Sequence, residues 1–132
     1  MYSTILLDHF RHPRNVGLMR DPDGAGEAEN PVCGDLAKFF LRVTEGKVAE
    51  ARFQTYGCGP SIAASSLATE LIRGLTIEDL EALTSDAVET ALGGLPPDRR
   101  HSADLVVDAL RAAAQDYRSR AVVVPEGGAG DV

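Results

Sequence analysis

Residues 38–74 read KFFLRVTEGKVAEARFQTYGCGPSIAASSLATELIRG, and the change of period within this stretch decides the fold. In Lys38 to Val43, Phe39, Leu41 and Val43 fall on one face. Glu45-Gly46 is a turn signal, and from Val48 to Tyr56 the residues Ala49, Ala51, Phe53 and Thr55 alternate with Glu50, Arg52 and Gln54. A two-residue period on either side of a turn predicts an antiparallel hairpin with one wet face. After Cys58 the period lengthens. Pro60 suits the first turn of a helix and Gly74 the position just past its end. The residues between, Ser61 to Arg73, are small or apolar nearly all round, so this helix is expected to lie buried against the sheet.

Upstream, residues 25–32 supply a third strand at the hairpin's edge, made irregular by Pro31. The turn-rich segment 13–24 reads as a loop. Residues 2–12 read as a short amphipathic helix, with Ser3 as N-cap, Ile5, Leu6, His9 and Phe10 at helical spacing, and Pro13 as its stop. Downstream, Thr76-Ile77-Glu78-Asp79 opens one helix, and a second covers 85–92 before Gly93-Gly94. Beyond Pro96-Pro97 a long helix is expected from about 102 to 119, with Leu105 or Val106, Ala109, Leu110, Ala113 and Tyr117 on its buried face. The expectation is an α+β domain over residues 1–120: a small antiparallel three-stranded sheet packed against several helices, the last of them long. Residues 121–132, Gly-rich from Pro125, are expected to form a disordered tail.

The chain's 132 residues suit one domain. Hydrophobic residues at 44% and charged residues at 25% are values of a soluble globular protein. A net charge of −7, with no Lys/Arg run, argues against nucleic acid or an acidic membrane as partner. The apolar run Ile5-Leu6-Leu7 is too short for a secretory signal, and nothing approaches a membrane span. The cytoplasm is the expected location, where two cysteines more often stay reduced or bind metal than form a structural disulfide.

Three segments carry chemistry. In Cys33-Gly34-Asp35 a thiol and a carboxylate converge if the chain turns at Gly34, and both are acceptable zinc ligands. A lone Cys in a strand is as often a small buried hydrophobe. Cys58 stands between two glycines at a predicted helix N-terminus, where unpaired N–H groups and the dipole favour a thiolate. His101 stands at the start of the long helix, where imidazolium is disfavoured. Cys33, Asp35, Cys58 and His101 satisfy a tetrahedral site in number, though not in a zinc-finger spacing. His9 and His12 have no ligand-like company. Asp8, Asp35, Glu50 and Glu70 form no recognisable carboxylate pair, and there is no nucleophile elbow, Walker loop, dinucleotide fingerprint or C-x-x-C, so an enzyme is not expected.

These segments together resemble the NifU/IscU-type iron–sulfur cluster assembly scaffold family. The resemblance runs through Leu7-Asp8-His9-Phe10, His12-Pro13-Arg14-Asn15-Val16-Gly17, Cys33-Gly34-Asp35, Ala51 to Gly59, Ile62 to Ser66 and Leu95-Pro96-Pro97, in the family's order over residues 2–120. It implies a transient [2Fe–2S] cluster assembled from iron, sulfur delivered by a cysteine desulfurase, and electrons, then passed to apo iron–sulfur acceptor proteins. It also implies that Zn²⁺ can occupy the same site. Cys33 and Cys58 match cluster-ligating cysteines, Asp35 the family's aspartate, and His101 its histidine. An oxygen donor at Asp35 is a harder, weaker partner than thiolate, which suits a cluster that must leave.

The chain departs from that pattern at Ser102, where the family has a third cysteine. A serine hydroxyl suits soft iron–sulfur chemistry poorly, and here it also suits the N-cap of the long helix. The departure opens two alternatives: a zinc-bound sulfur acceptor partnering a cysteine desulfurase, and a degenerate desulfurase-binding module. Asp98-Arg99 stands where part of the family has an aliphatic residue and Lys after Leu-Pro-Pro, which argues against docking to an Hsp70-type chaperone.

Overall fold

A computed structural model of the chain describes residues 2–31 and 34–123, with side chains to Arg120. The hairpin forms as its period demands. Strand β2 (Leu36–Thr44) pairs antiparallel with β3 (Lys47–Tyr56), and β1 (Gly24–Glu29) adds to the other edge of β2, giving the order β1-β2-β3. The turn between β2 and β3 is made at Glu45 and Gly46, both with positive φ.

One inward face differs from the sequence reading. Arg42 pairs with Glu50, but the next pair is Val43 with Val48. Ala49 is therefore the extra residue of a bulge, and Val48, rather than Ala49, turns into the core. The remaining inward set is Ala37, Phe39, Leu41, Ala51 and Phe53, all buried, with the Phe39 and Phe53 ring centroids 6.2 Å apart.

Helices cover that face. α2 (Gly59–Leu71) and α5 (His101–Val123) pack on the sheet, while α1 (Thr4–Arg11) lies on α2. The short α3 (Ile77–Glu81) and α4 (Ser85–Ala91) close the far side against α5, and a 3-10 turn (Pro97–Arg99) leads into it. α2 is mostly small, Ala63, Ala64, Ser65 and Ala68 included, because all of it but Glu70 is at least partly buried. α5 buries Leu105 and Val106 together, with Val107, Ala109, Leu110, Ala113 and Ala114, a wider face than one stripe. It begins at His101 and continues to Val123, so it is longer than the sequence predicts; residues 124–132 of the expected tail lie outside the described residues.

β1 owes its place to α5. A Cβ on Gly26 would lie 2.2 Å from the backbone nitrogen of Ala113, and one on Gly24 would lie 2.6 Å from its carbonyl oxygen. The strand GAGEAE can approach the helix backbone only because those positions are bare. Asp116 of α5 accepts the Ala25 N–H at 2.9 Å. At the opposite edge the loop over residues 13–23 runs beside β3, with Phe53 N–H donating to the Asn15 carbonyl at 3.0 Å and Gly17 N–H to the Phe53 carbonyl at 2.9 Å. That covers an otherwise open strand edge.

Candidate metal centre

The register of the hairpin builds the site. Leu36 pairs with Tyr56, so Asp35, just before β2, lies across from Gly57, just after β3. The connection from β1 is closed by Gly34 N–H to the Asn30 carbonyl at 2.7 Å and Asn30 N–H to the Asp35 carbonyl at 2.8 Å. Gly34 has φ +80°, a conformation that favours glycine and produces the turn the sequence anticipated there. Gly57 leaves the space that the Asp35 carboxylate fills: a Cβ there would stand 2.5 Å from Asp35 Cγ.

Cys58 is the N-cap of α2, with extended φ and ψ, and its sulfur makes no cap bond to the helix's own N–H groups. Its carbonyl accepts from Ser61 and Ile62 N–H, both at 3.1 Å, which starts the helix one residue earlier than Pro60 suggested. The sulfur lies 3.3 Å from Asp35 Oδ2 and 3.4 Å from Ser61 Oγ. His101 opens α5 and brings an imidazole to the same place. The ligand atoms of Asp35, Cys58 and His101 all lie within 4.8 Å of one another. Donors around a tetrahedral zinc with bonds of about 2.0–2.3 Å stand about 3.3–3.8 Å apart, so a thiol, a carboxylate and an imidazole so placed fit a metal after a small contraction.

Cys33, expected as a further ligand, lies outside the described residues. Ser102 is not an N-cap. α5 already begins at His101, and Ser102 is fully buried inside the first turn, its hydroxyl 3.0 Å from Ser61 Oγ and 3.8 Å from Cys58 Sγ. Ser61, also fully buried, donates to Asp35 Oδ2 at 2.9 Å. Sequence reasoning missed Ser61 because a serine in a small-residue helix has no signature; its partners come from segments 26 and 41 residues away.

Arg99 was missed too. With Tyr2, Leu6, Phe10, Pro60 and Cys58 it lines a groove of about 330 Å³ that opens beside the sulfur. Its guanidinium is held above its ordinary pKa first by a hydrogen bond with Tyr2, then by the Asp98 charge, with a smaller contribution from Cys58. Phe10 forms the groove's wall over Gly59, where a Cβ would lie 3.1 Å from the ring. His9 stays apart from the centre, buried between α1 and α2 with Nδ1 2.8 Å from Ser66 Oγ and Nε2 3.5 Å from Glu70.

The profile of the family described as NifU-like N terminal domain matches residues 1–124. The chain belongs to this family. Its resemblance to the NifU/IscU pattern extends to curated relatives over nearly its whole length. It is 50% identical over 117 residues to the iron-sulfur cluster assembly scaffold protein IscU 1 of Archaeoglobus fulgidus, covering 89% of this chain and 76% of that one. It is 42% identical over 123 residues to IscU of Azotobacter vinelandii, covering 90% and 95%. Among solved structures, a NifU-like protein (N-terminal) from Brucella abortus superposes with a TM-score of 0.72 at 18% identity, covering 89% of this chain and 94% of the other. A putative iron-sulfur cluster assembly scaffold protein for the SUF system, from Fervidobacterium islandicum AW-1, gives 0.68 at 19% identity, covering 86% and 96%. These two likenesses establish the NifU-like fold, with its three-stranded sheet and long last helix.

Proposed function

We propose that this chain is a non-catalytic scaffold on which an iron–sulfur cluster is assembled and from which it is handed to acceptor proteins. The observation that carries the reading is the meeting of Asp35, Cys58 and His101, from three separate elements, within 4.8 Å. The relatives named iron-sulfur cluster assembly scaffold proteins support it. Iron and sulfide are cargo here. Cys58 offers a soft thiolate, His101 a borderline nitrogen and Asp35 a hard oxygen that holds iron loosely enough to release it. Cys33 is the ligand that completes the set. The cluster is of the [2Fe–2S] type, its sulfur comes from a cysteine desulfurase, and its recipients are apo iron–sulfur proteins. No helix among the described residues is long and apolar enough to cross a membrane, and the reading places the work in the cytoplasm.

A second reading has support from Ser102. With a hydroxyl rather than a thiol beside Cys58, the set is limited to two sulfurs, one nitrogen and one oxygen, which suits one Zn²⁺ and a role in accepting sulfur. One experiment separates the two. Anaerobic reconstitution with Fe²⁺, cysteine, a desulfurase and a thiol reductant that brings the persulfide sulfur to sulfide is expected to give visible sulfide-to-iron absorption with about two irons per cluster, abolished by Cys58→Ala. A colourless protein that retains one zinc supports the second reading and overturns the first.

A further inference from the structure

We propose that Ser61 is a positioning residue of this centre: a one-way chain of hydroxyls, from Ser102 to Ser61 to Asp35, holds the carboxylate against the Cys58 sulfur. The inference rests on the reading of Asp35 and Cys58 as ligands.

Proton counting sets the direction of the chain. Ser61 Oγ lies 2.9 Å from Asp35 Oδ2 and 3.0 Å from Ser102 Oγ. An ionised carboxylate accepts only, so Ser61 spends its single proton on Asp35. The bond between the two serines can then be made only with the proton of Ser102. Both hydroxyls are fully buried, and a buried hydroxyl without a partner is costly, so each binds the other into place. The result is one carboxylate oxygen that takes the Ser61 O–H at 2.9 Å and stands 3.3 Å from Cys58 Sγ. Gly57 leaves room for the carboxylate and Ser61 aims it.

The arrangement also assigns Ser102. Its oxygen is 3.8 Å from the Cys58 sulfur and its proton is committed to Ser61. Ser102 therefore acts on the bound metal through Asp35 and is not a ligand in place of a thiolate.

Co²⁺ titration of the purified chain, followed by thiolate-to-cobalt and d–d absorption, tests both assignments. Outer groups that orient a ligand typically change metal affinity by about 10–100-fold, and Ser61→Ala is expected to weaken Co²⁺ by that range. Ser102→Ala is expected to cost less, and the double variant no more than Ser61→Ala alone, because the influence of Ser102 passes through Ser61. Ser61→Thr and Ser61→Val share a shape and differ in the hydroxyl. Thr retaining affinity while Val loses it supports the chain even if Ser61→Ala packs poorly. Equal affinity for Thr and Val, or a Ser102→Ala loss that adds fully to that of Ser61→Ala and changes the d–d intensity, overturns the inference. Co²⁺ binding that survives Cys58→Ala overturns the reading of the site itself. Binding that needs Cys58 but ignores Ser61 overturns this inference alone.

Discussion

Asp35 is only 6% exposed, yet the centre depends on the exact oxygen it presents to the sulfur of Cys58. Gly57 sets that position from one side and Ser61 from the other. Gly57 shows no positive φ, so alanine suits its backbone, and the three atoms nearest an added Cβ all belong to the carboxylate, with Cγ at 2.5 Å. Gly57→Ala is therefore expected to swing Asp35 away and weaken Co²⁺ binding by on the order of tenfold or more. The metal-free melting temperature should change little. Unchanged affinity would show that the carboxylate is not a ligand. At this scale the sequence was informative where local chemistry spoke. Cys58 between glycines and His101 at a helix start were both legible as candidates. Ser102 read as a helix cap and Ser61 as nothing, because their roles exist only once α2 and α5 meet.

Among the elements, the hairpin and α2 were legible because burial imposes a period that a short window captures. The bulge was not: Ala49 looks like an inward residue until the register slips between Arg42 and Val43 and Val48 takes the core position. β1 was the weakest signal, since GAGEAE has neither β-branched nor aromatic residues. Its logic is the close approach to α5. Gly26→Ala would push a Cβ to 2.2 Å from the Ala113 nitrogen, a backbone atom that cannot rotate away. Separating the strand from the helix is expected to cost about 1–3 kcal/mol or more, read as a lower urea midpoint. A midpoint equal to that of the parent protein would mean that β1 does not pack on α5 as described.

For the whole molecule, α1 and α2 are joined through a buried imidazole. Burial chiefly pushes the His9 pKa below its ordinary value of 6.5, with the Arg14 charge acting in the same direction and Glu70 and Asp8 opposing. The unfolded chain thus binds the proton more readily than the folded one. Stability contributed here is complete above 6.5 and declines as pH falls through that value toward the lowered folded one. Thermal melts between pH 7.5 and 5.5 are expected to show that decline, and His9→Gln to flatten it; an equal slope in both proteins would place the proton uptake elsewhere. None of this docking was readable from Leu7-Asp8-His9-Phe10, because Ser66 and Glu70 lie on another helix. The centre's thiol, carboxylate and imidazole were legible as candidates, but they are distant in the chain and meet only in the fold, where β2, α2 and α5 begin. X-ray absorption of the protein loaded with one equivalent of Zn²⁺ tests that meeting most directly. A first shell mixing sulfur at about 2.3 Å with nitrogen and oxygen at about 2.0–2.1 Å, imidazole scattering included, is the predicted result. A shell without sulfur, or a spectrum unchanged by Cys58→Ala, would contradict it.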